Sequence, residues 1–344
     1  MFNLESSGIC FSIMLAAGVM MSGTAAAAPV APVVSNGVER PSKRSVPYLL
    51  SWGVGASRAD SAYRKGATGR GVVVAMIDTG VDSSASAMFR NLSPASTDLV
   101  TERGADTGDR KHGEQTASLL AGRLRSFGTF GLAYDATVLS IRADRDGSCL
   151  TICAFDPAVI ARAIDYAAAH GAQVIGMPIA SRKPIPAIEN ALERAVARGI
   201  VVVAAAGNDG SDQPVWPARY AADPRFHDSM IVAGASTGRG RLADWSNKAG
   251  VAKDRYIAAP GERVVVDCER RACSLVSGTS YSVSYTAGAV ALLLSRDPSL
   301  SGKKAAAALL ASAGDLAVRG VDEITGRGRL DVGRALRIVD AQAS

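Results

Sequence analysis

Short, unbroken apolar runs alternate along this chain with longer stretches of helical periodicity, and that alternation decides most of what it can fold into. Residues 72–77 form a run rich in β-branched side chains, closed by Asp78-Thr79-Gly80. A strand with no polar side is buried on both faces. Runs of the same kind recur at 138–141, Val174–Met177, 200–205 and 230–233. Between them, Pro157–Ala169 sets Val159, Ile160, Ala163, Ile164 and Ala167 on one helical face, and 187–197 is a second helix closed by Gly199. A long apolar helix over 281–294 stops at Asp297-Pro298, and another follows at 303–311. Strand and helix in alternation predict an α/β fold of three layers, a mostly parallel central sheet with helices on both faces. Residues 48–344 read as one domain, with no internal repeat.

The stretch before that domain reads as an export signal and a linker. Residues 9–21 are almost wholly apolar and lead into Ala25-Ala26-Ala27-Ala28. Residues 1–27 are therefore read as a signal peptide, cut after Ala27 because cutting after Ala28 would leave Pro29 first. Glu5, with no Lys or Arg before it, departs from the usual basic start. The run is shorter than the ~20 residues of a membrane span, so the chain is expected to be exported, to a periplasm or beyond, with no membrane association once the signal is removed. Residues 28–47, rich in Pro, Ser, Val and charge, read as a linker. The net charge of +6 is spread along the chain, and its densest cluster, Arg40, Lys43 and Arg44, lies in that linker. It reads as solvated rather than as a nucleic-acid surface. A monomer is expected.

Cys10 would leave with the signal. Cys149, Cys153, Cys268 and Cys273 then allow three disulfide pairings, of which two short loops, 149 with 153 and 268 with 273, are the simplest. Neither spacing is the CxxC usual at zinc, which disfavours a four-thiolate metal site.

Asp78 ends a buried strand, and open parallel sheets carry their active sites beyond the carboxyl ends of their strands. Alone, Asp-Thr-Gly would be a strand-closing turn. The aspartic-protease use of the same tripeptide needs two such carboxylates close together, and the second copy, Asp106-Thr107-Gly108, follows a polar stretch and closes no apolar run. His112 precedes Gly113 at the start of a helical stretch, as a rigidly held general base requires. Of the two other histidines, His170 reads as a helix C-terminal cap and His227 as a loop residue. Ser280 follows Gly278-Thr279 at the start of the long apolar helix, where free N–H groups favour an oxyanion beside a nucleophile. Its rival reading is an ordinary N-cap serine. Asn208 follows Ala205-Ala206-Gly207 off the end of another buried strand, with an amide able to donate to an oxyanion. Carboxylate, imidazole, hydroxyl and amide at one sheet edge form a hydrolytic set. Ser280, in Gly278-Thr279-Ser280-Tyr281-Ser282, is not set in a Gly-x-Ser-x-Gly elbow, and the match at Gly234-Ala235-Ser236-Thr237-Gly238 lies apart from it, which disfavours the usual serine-esterase arrangement.

With these residues in place the chain resembles the subtilisin-like serine proteases over most of 48–340. Gly69-Arg70-Gly71-Val72 through Val81-Asp82 is similar to their aspartate block, and His112-Gly113 with Ala121-Gly122 to the histidine block. The segment 205–210, Trp216-Pro217-Ala218, Ala259-Pro260-Gly261, Ser277-Gly278-Thr279-Ser280 and Gly326-Arg327-Gly328 are similar to further landmarks. The order Asp, His, Ser is also that of subtilisin. The resemblance implies peptide-bond cleavage in protein or peptide substrates through an acyl-enzyme on Ser280. His112 would be the general base, Asp78 would orient it, and Asn208 with the Ser280 N–H would hold the oxyanion. It implies no organic cofactor. Many members bind structural calcium, but no compact Asp-rich loop locates a site here, and no metal ligand is assigned.

Several positions depart from the family pattern. Glu114-Gln115-Thr116-Ala117-Ser118 stands where Thr-His-Val-Ala-Gly is usual, and Tyr281-Ser282-Val283-Ser284-Tyr285 where Met-Ala-Ala-Pro-His is usual. Without that proline the helix regains a backbone donor and loses a kink. In the substrate strand, Met177-Pro178-Ile179-Ala180 replaces residues that end Ser-Leu-Gly, so Pro178 has no N–H for a bound strand and Ala180 adds a methyl. These changes leave substrate preference open. They also motivate an alternative, a weak or inactive subtilisin-like module that binds peptides. The segment before Tyr48 is too short for a folding prodomain, and none is expected.

Overall fold

The computed structural model describes residues 33–35, 38–82, 88–100, 103, 110–150, 153–269, 272–316 and 319–343. The signal-peptide reading of 1–27 lies outside them. In chain order, β1 (Val33–Ser35) and β2 (Val38–Arg40) pair antiparallel inside the stretch read as linker. The first helix also begins earlier than residue 48. Helices α1 (Val46–Leu50), α2 (Trp52–Ala56) and α3 (Asp60–Arg64) follow, three single turns where spacing alone would allow one helix.

The sheet then begins with β3 (Val73–Asp78), β4 (Asn91–Leu92) and β5 (Thr97–Asp98), and α4 (Lys111–Ala121) leads to β6 (Thr137–Arg142). Helix α5 (Pro157–Ala169), β7 (Val174–Met177), α6 (Pro186–Ala197), β8 (Val201–Ala205) and β9 (Met230–Ser236) continue the alternation. After β10 (Tyr256–Pro260), a hairpin of β11 (Val264–Glu269) and β12 (Ala272–Val276) precedes α7 (Thr279–Arg296), α8 (Gly302–Ala311) and α9 (Val332–Ala343).

The main sheet has eight strands in the order β10-β9-β8-β7-β3-β6-β4, with β5 also pairing to β6. Every pairing in it is parallel. Its strands are apolar on both sides because both sides are covered. Val74 and Met76 of β3 face the layer containing α4, α7, α8 and α9, whereas Ala75 and Ile77 face the one containing α5 and α6. Helix α7 is the spine of the first layer, buried from Thr279 to Leu294. It runs 18 residues with Ser284 where the family has proline. Strand order reverses at β3: β6 lies on one side of it and β7, formed later, on the other. Such a switch opens a crevice at the carboxyl ends of the strands. Asp78, the last residue of β3, stands there.

Both disulfides close short loops, Cys149 with Cys153 and Cys268 with Cys273. The second ties β11 to β12. Among the described residues no helix is long and apolar enough to cross a membrane.

Candidate active site

Asp78 is 1% exposed, and a buried carboxylate requires donors. Three reach it. The Thr79 N–H donates to Oδ1 at 2.7 Å, and His112 Nδ1 lies 2.7 Å from the same oxygen. The Thr116 hydroxyl donates to Oδ2 at 2.8 Å. With Nδ1–H given to the carboxylate, the neutral imidazole keeps its lone pair on Nε2, the tautomer a general base needs.

The aspartate and histidine motifs are locked together at their glycines. The Gly113 N–H donates to Thr79 Oγ1 at 2.9 Å. A β-carbon on Gly113 would come within 2.4 Å of the Gly80 carbonyl oxygen, so only glycine lets α4 approach the turn this closely. Gly80 itself has φ +85° and backs onto the Arg142 side chain. Histidine and aspartate are thus fixed to one another by two glycines.

Ser280 is the second residue of α7 and 7% exposed. The N-cap of α7 is Gly278, so Ser280 is not the capping residue. Asn208 lies just past β8, and its Oδ1 accepts from the Thr279 N–H and from the Thr279 hydroxyl, both at 2.8 Å. With its oxygen committed to the residue before Ser280, the Asn208 amide has N–H donors left for a ligand. The Thr279 hydroxyl also accepts from the Gly207 N–H at 3.2 Å, which fastens the end of β8 to the start of α7. The His112 ring stands 5.8 Å from that of Tyr281, the neighbour of Ser280.

Two of the departures from the family pattern meet in space. Tyr281 donates its hydroxyl to Gln115 Oε1 at 2.9 Å, and Gln115 Nε2 donates to Asp267 Oδ2 at 2.6 Å. Lys111 lies 3.8 Å from the same Asp267 oxygen. Tyr281, next to Ser280, and Gln115, three residues after His112, therefore bridge α7 to α4, and Asp267 brings the disulfide-clasped hairpin into the same chain of contacts. Beside them Glu114 accepts from the Asp82 N–H at 3.2 Å. Burial, aided by the Asp82 and Asp267 carboxylates, holds its carboxyl above the ordinary range.

In the stretch expected to carry substrate, β7 ends at Met177 and the chain runs on through Pro178, Ile179 and Ala180. Met177, Pro178 and Ile179 are buried and Ala180 is exposed. Ser181 then pairs with Trp216 through two backbone bonds, of 2.7 and 2.9 Å. The other histidines lie apart from this group. His170 caps α5, its Nδ1 2.8 Å from the Tyr166 carbonyl oxygen and its ring stacked on Tyr166, and His227 sits half-exposed beside Asp228. Among the described residues no group of three or more His, Cys, Asp or Glu side chains is arranged to hold a metal ion.

Sequence reasoning missed two supports. Asn247, fully buried, accepts at Oδ1 from the Asp209 and Ser211 N–H groups and donates to the Gln213 carbonyl, shaping the loop behind Asn208. A lone asparagine between turn residues gives no signal for such a role. Arg142 pairs in register with Asp78 and is 2% exposed, its Nε donating to Asp144 Oδ1 at 2.9 Å. Arg103 binds the same Asp144 and Asp98. The Ile141-Arg142-Ala143-Asp144 pattern was the available hint: an arginine ending a buried run, with an acid two residues on.

An aspartate-bound histidine, a helix-start serine and a tethered asparagine on a parallel sheet are the groups that the resemblance to Asp-His-Ser serine hydrolases calls for. The family model for the subtilase family of peptidases matches residues 69–328. Subtilisin BL of Lederbergia lenta is 29% identical over 255 residues, 73% of this chain and 87% of that protein. Subtilisin DY of Bacillus licheniformis is 31% identical over 258 residues, 75% of this chain and 88% of its own. An alkaline protease of Alkalihalobacillus alcalophilus is 29% identical, and there the match spans 61% of the relative's length. Among solved structures the protease domain of PatA is similar over 79% of this chain and 96% of that domain, with a TM-score of 0.66 and 25% identity. The chain belongs to the subtilase family and is a serine-type endopeptidase.

Proposed function

We propose that the protein is exported and cleaves peptide bonds through an acyl-enzyme on Ser280. His112 Nε2 takes the Ser280 proton as the hydroxyl attacks the scissile carbonyl, then passes it to the leaving amine. Asp78 keeps the imidazole in the Nε2-basic tautomer and stabilises the imidazolium. The Asn208 amide and the Ser280 N–H, at the positive end of α7, stabilise the oxyanion. Met177 to Ala180 form the segment against which a substrate lies. Pro178 can accept there through its carbonyl but cannot donate, so the bound peptide is held by one hydrogen bond fewer on that side.

The observation that carries this reading is the pair of tethers at the site: Asp78 to His112, and Asn208 Oδ1 to Thr279. Both orient groups for chemistry at Ser280, which a module that only binds peptides does not need. A fluorophosphonate probe tests it. Covalent labelling of the wild type that vanishes in Ser280→Ala is expected; folded wild-type protein that does not label would sink the catalytic reading. Sequencing the mature N-terminus tests export, with a start just after Ala27 expected.

A further inference from the structure

We propose that Thr116 is a positioning residue of the active site, its hydroxyl fixing the second oxygen of the Asp78 carboxylate and thereby setting the orientation and basicity of His112. The kinetic part of this inference rests on the proposed catalytic reading; the ionisation of His112 does not.

His112 and Thr116 are four residues apart on α4, so their side chains lie on one face of the helix, one turn apart. Both reach Asp78, but at different oxygens. Oδ1 holds the imidazole and the Thr79 N–H, and Oδ2 takes the Thr116 hydroxyl. A carboxylate bound at one oxygen still swings about its Cβ–Cγ bond, whereas one bound at both has its plane fixed. Thr116 Oγ1 also lies 3.1 Å from the Gly113 carbonyl oxygen. A hydroxyl has one proton, and the anionic oxygen at 2.8 Å is the stronger acceptor. The proton therefore goes to Asp78.

The side chain is fully buried. The valine usual at this place in the family would fill the same volume and leave Oδ2 without the hydroxyl donor. Threonine here serves the carboxylate and is not needed to fill space. A donor on Oδ2 draws charge from the carboxylate and weakens its hold on the imidazolium. Removing it should raise the His112 pKa while letting the imidazole drift from its attack geometry.

The test compares Thr116→Val and Thr116→Ser by two readouts. In fluorophosphonate inactivation, Thr116→Val is expected to lower kinact roughly 10-fold with KI within about twofold, as for one lost hydrogen bond to a charged group. The acid limb of its pH profile should move up by about half a unit. Thr116→Ser, which keeps the hydroxyl, should stay near wild type in both. NMR titration of the His112 imidazole in a Ser280→Ala background should show the same upward shift for Thr116→Val alone. An unchanged His112 titration in Thr116→Val overturns the proposal. Equal losses in the valine and serine variants overturn it too, because they would report packing. If the valine variant does not fold, Thr116→Ala against Thr116→Ser asks the same question, and identical His112 titrations in those two overturn it. Wild-type protein that fails to label would refute the catalytic reading while leaving the NMR comparison able to decide this one.

Discussion

The side chains proposed to do chemistry at this site are each held by a partner with no chemical role in that proposal. Asn208 depends on Thr279 for its amide orientation and on Asn247 for the loop that carries it. Asn247→Ala removes three hydrogen bonds, leaving the Asp209 and Ser211 N–H groups and the Gln213 carbonyl to find water. Part of that loop is exposed, so the expected cost is about 2 kcal/mol rather than the sum of three fully buried losses. Labelling by a fluorophosphonate should slow as well, because the proposed oxyanion donor, Asn208, sits on the loosened loop. Urea unfolding together with labelling rates checks both. Unchanged labelling in a destabilised variant would separate the loop from the oxyanion site. The side chains proposed for catalysis stood out in the sequence because that chemistry restricts residue type: a base, a nucleophile and an amide donor at strand and helix ends. Their supports were not, since a hydrogen bond from Asn247 or Thr116 is one that many side chains could make, and only folding reveals which one does. Arg142 was missed for a related reason. A charged residue closing a buried run reads as an end at the surface until Asp144 and Arg103 are seen to complete its pairing.

Elements buried on both faces left the clearest trace in the sequence. β3, β7 and β8 emerge where their apolar runs place them, because a strand covered on two sides has no polar positions to blur the pattern. α5 matches its periodicity end to end, with Asp156 as N-cap and Pro157 in the first turn. The β11–β12 hairpin left no such trace. β12 is mostly exposed or half-exposed, and the pairing is irregular between Val266 and Glu269. Strands β4 and β5, two residues each, are too short to show a period. Besides the hydrogen bonds to Asp78 and Thr79, the contact between Gly113 and Gly80 joins α4 to the turn after β3, and a prediction follows from opposing magnitudes. Alanine is favoured over glycine within a helix by up to about 1 kcal/mol. Against that, the added methyl would sit 2.4 Å from the Gly80 carbonyl oxygen and 2.7 Å from its nitrogen. Backbone cannot yield as a side-chain tip does, and overpacking of this kind costs about 1–3 kcal/mol. Gly113→Ala is therefore expected to lower Tm by several degrees, at about 2–4 °C per kcal/mol, and to slow labelling of Ser280 by moving His112. A variant as stable and as quickly labelled as wild type would show that α4 does not need this approach.

Across the whole molecule, the last helix is tied back to its beginning and to its spine. Asp340 of α9 forms an ion pair with Lys65, just after α3, and accepts from Arg296 Nε, the last residue of α7, at 2.9 Å. The Lys65 hydrogen bond, with Arg296 adding to it, holds the Asp340 carboxyl below its ordinary value. The direction of the pH effect follows from linkage. An acid with a lowered folded-state pKa contributes stability that is fully present above its unfolded value, near 3.8, and that disappears as pH falls through the folded one. Asp340 and its partners are partly open to solvent, which limits the pair to no more than about 1 kcal/mol. Wild type should therefore exceed Asp340→Asn in stability at pH 6 by a small margin, and the margin should close below about pH 4. It should also shrink in high salt. Urea midpoints measured from pH 6 to pH 2 in a Ser280→Ala background, which prevents self-digestion of unfolding protein, would show the two curves converging on the acid side. A constant gap down to pH 2 would mean that Asp340 anchors α9 through neutral contacts, and that the charges on Lys65 and Arg296 do not hold the C-terminal helix to the fold.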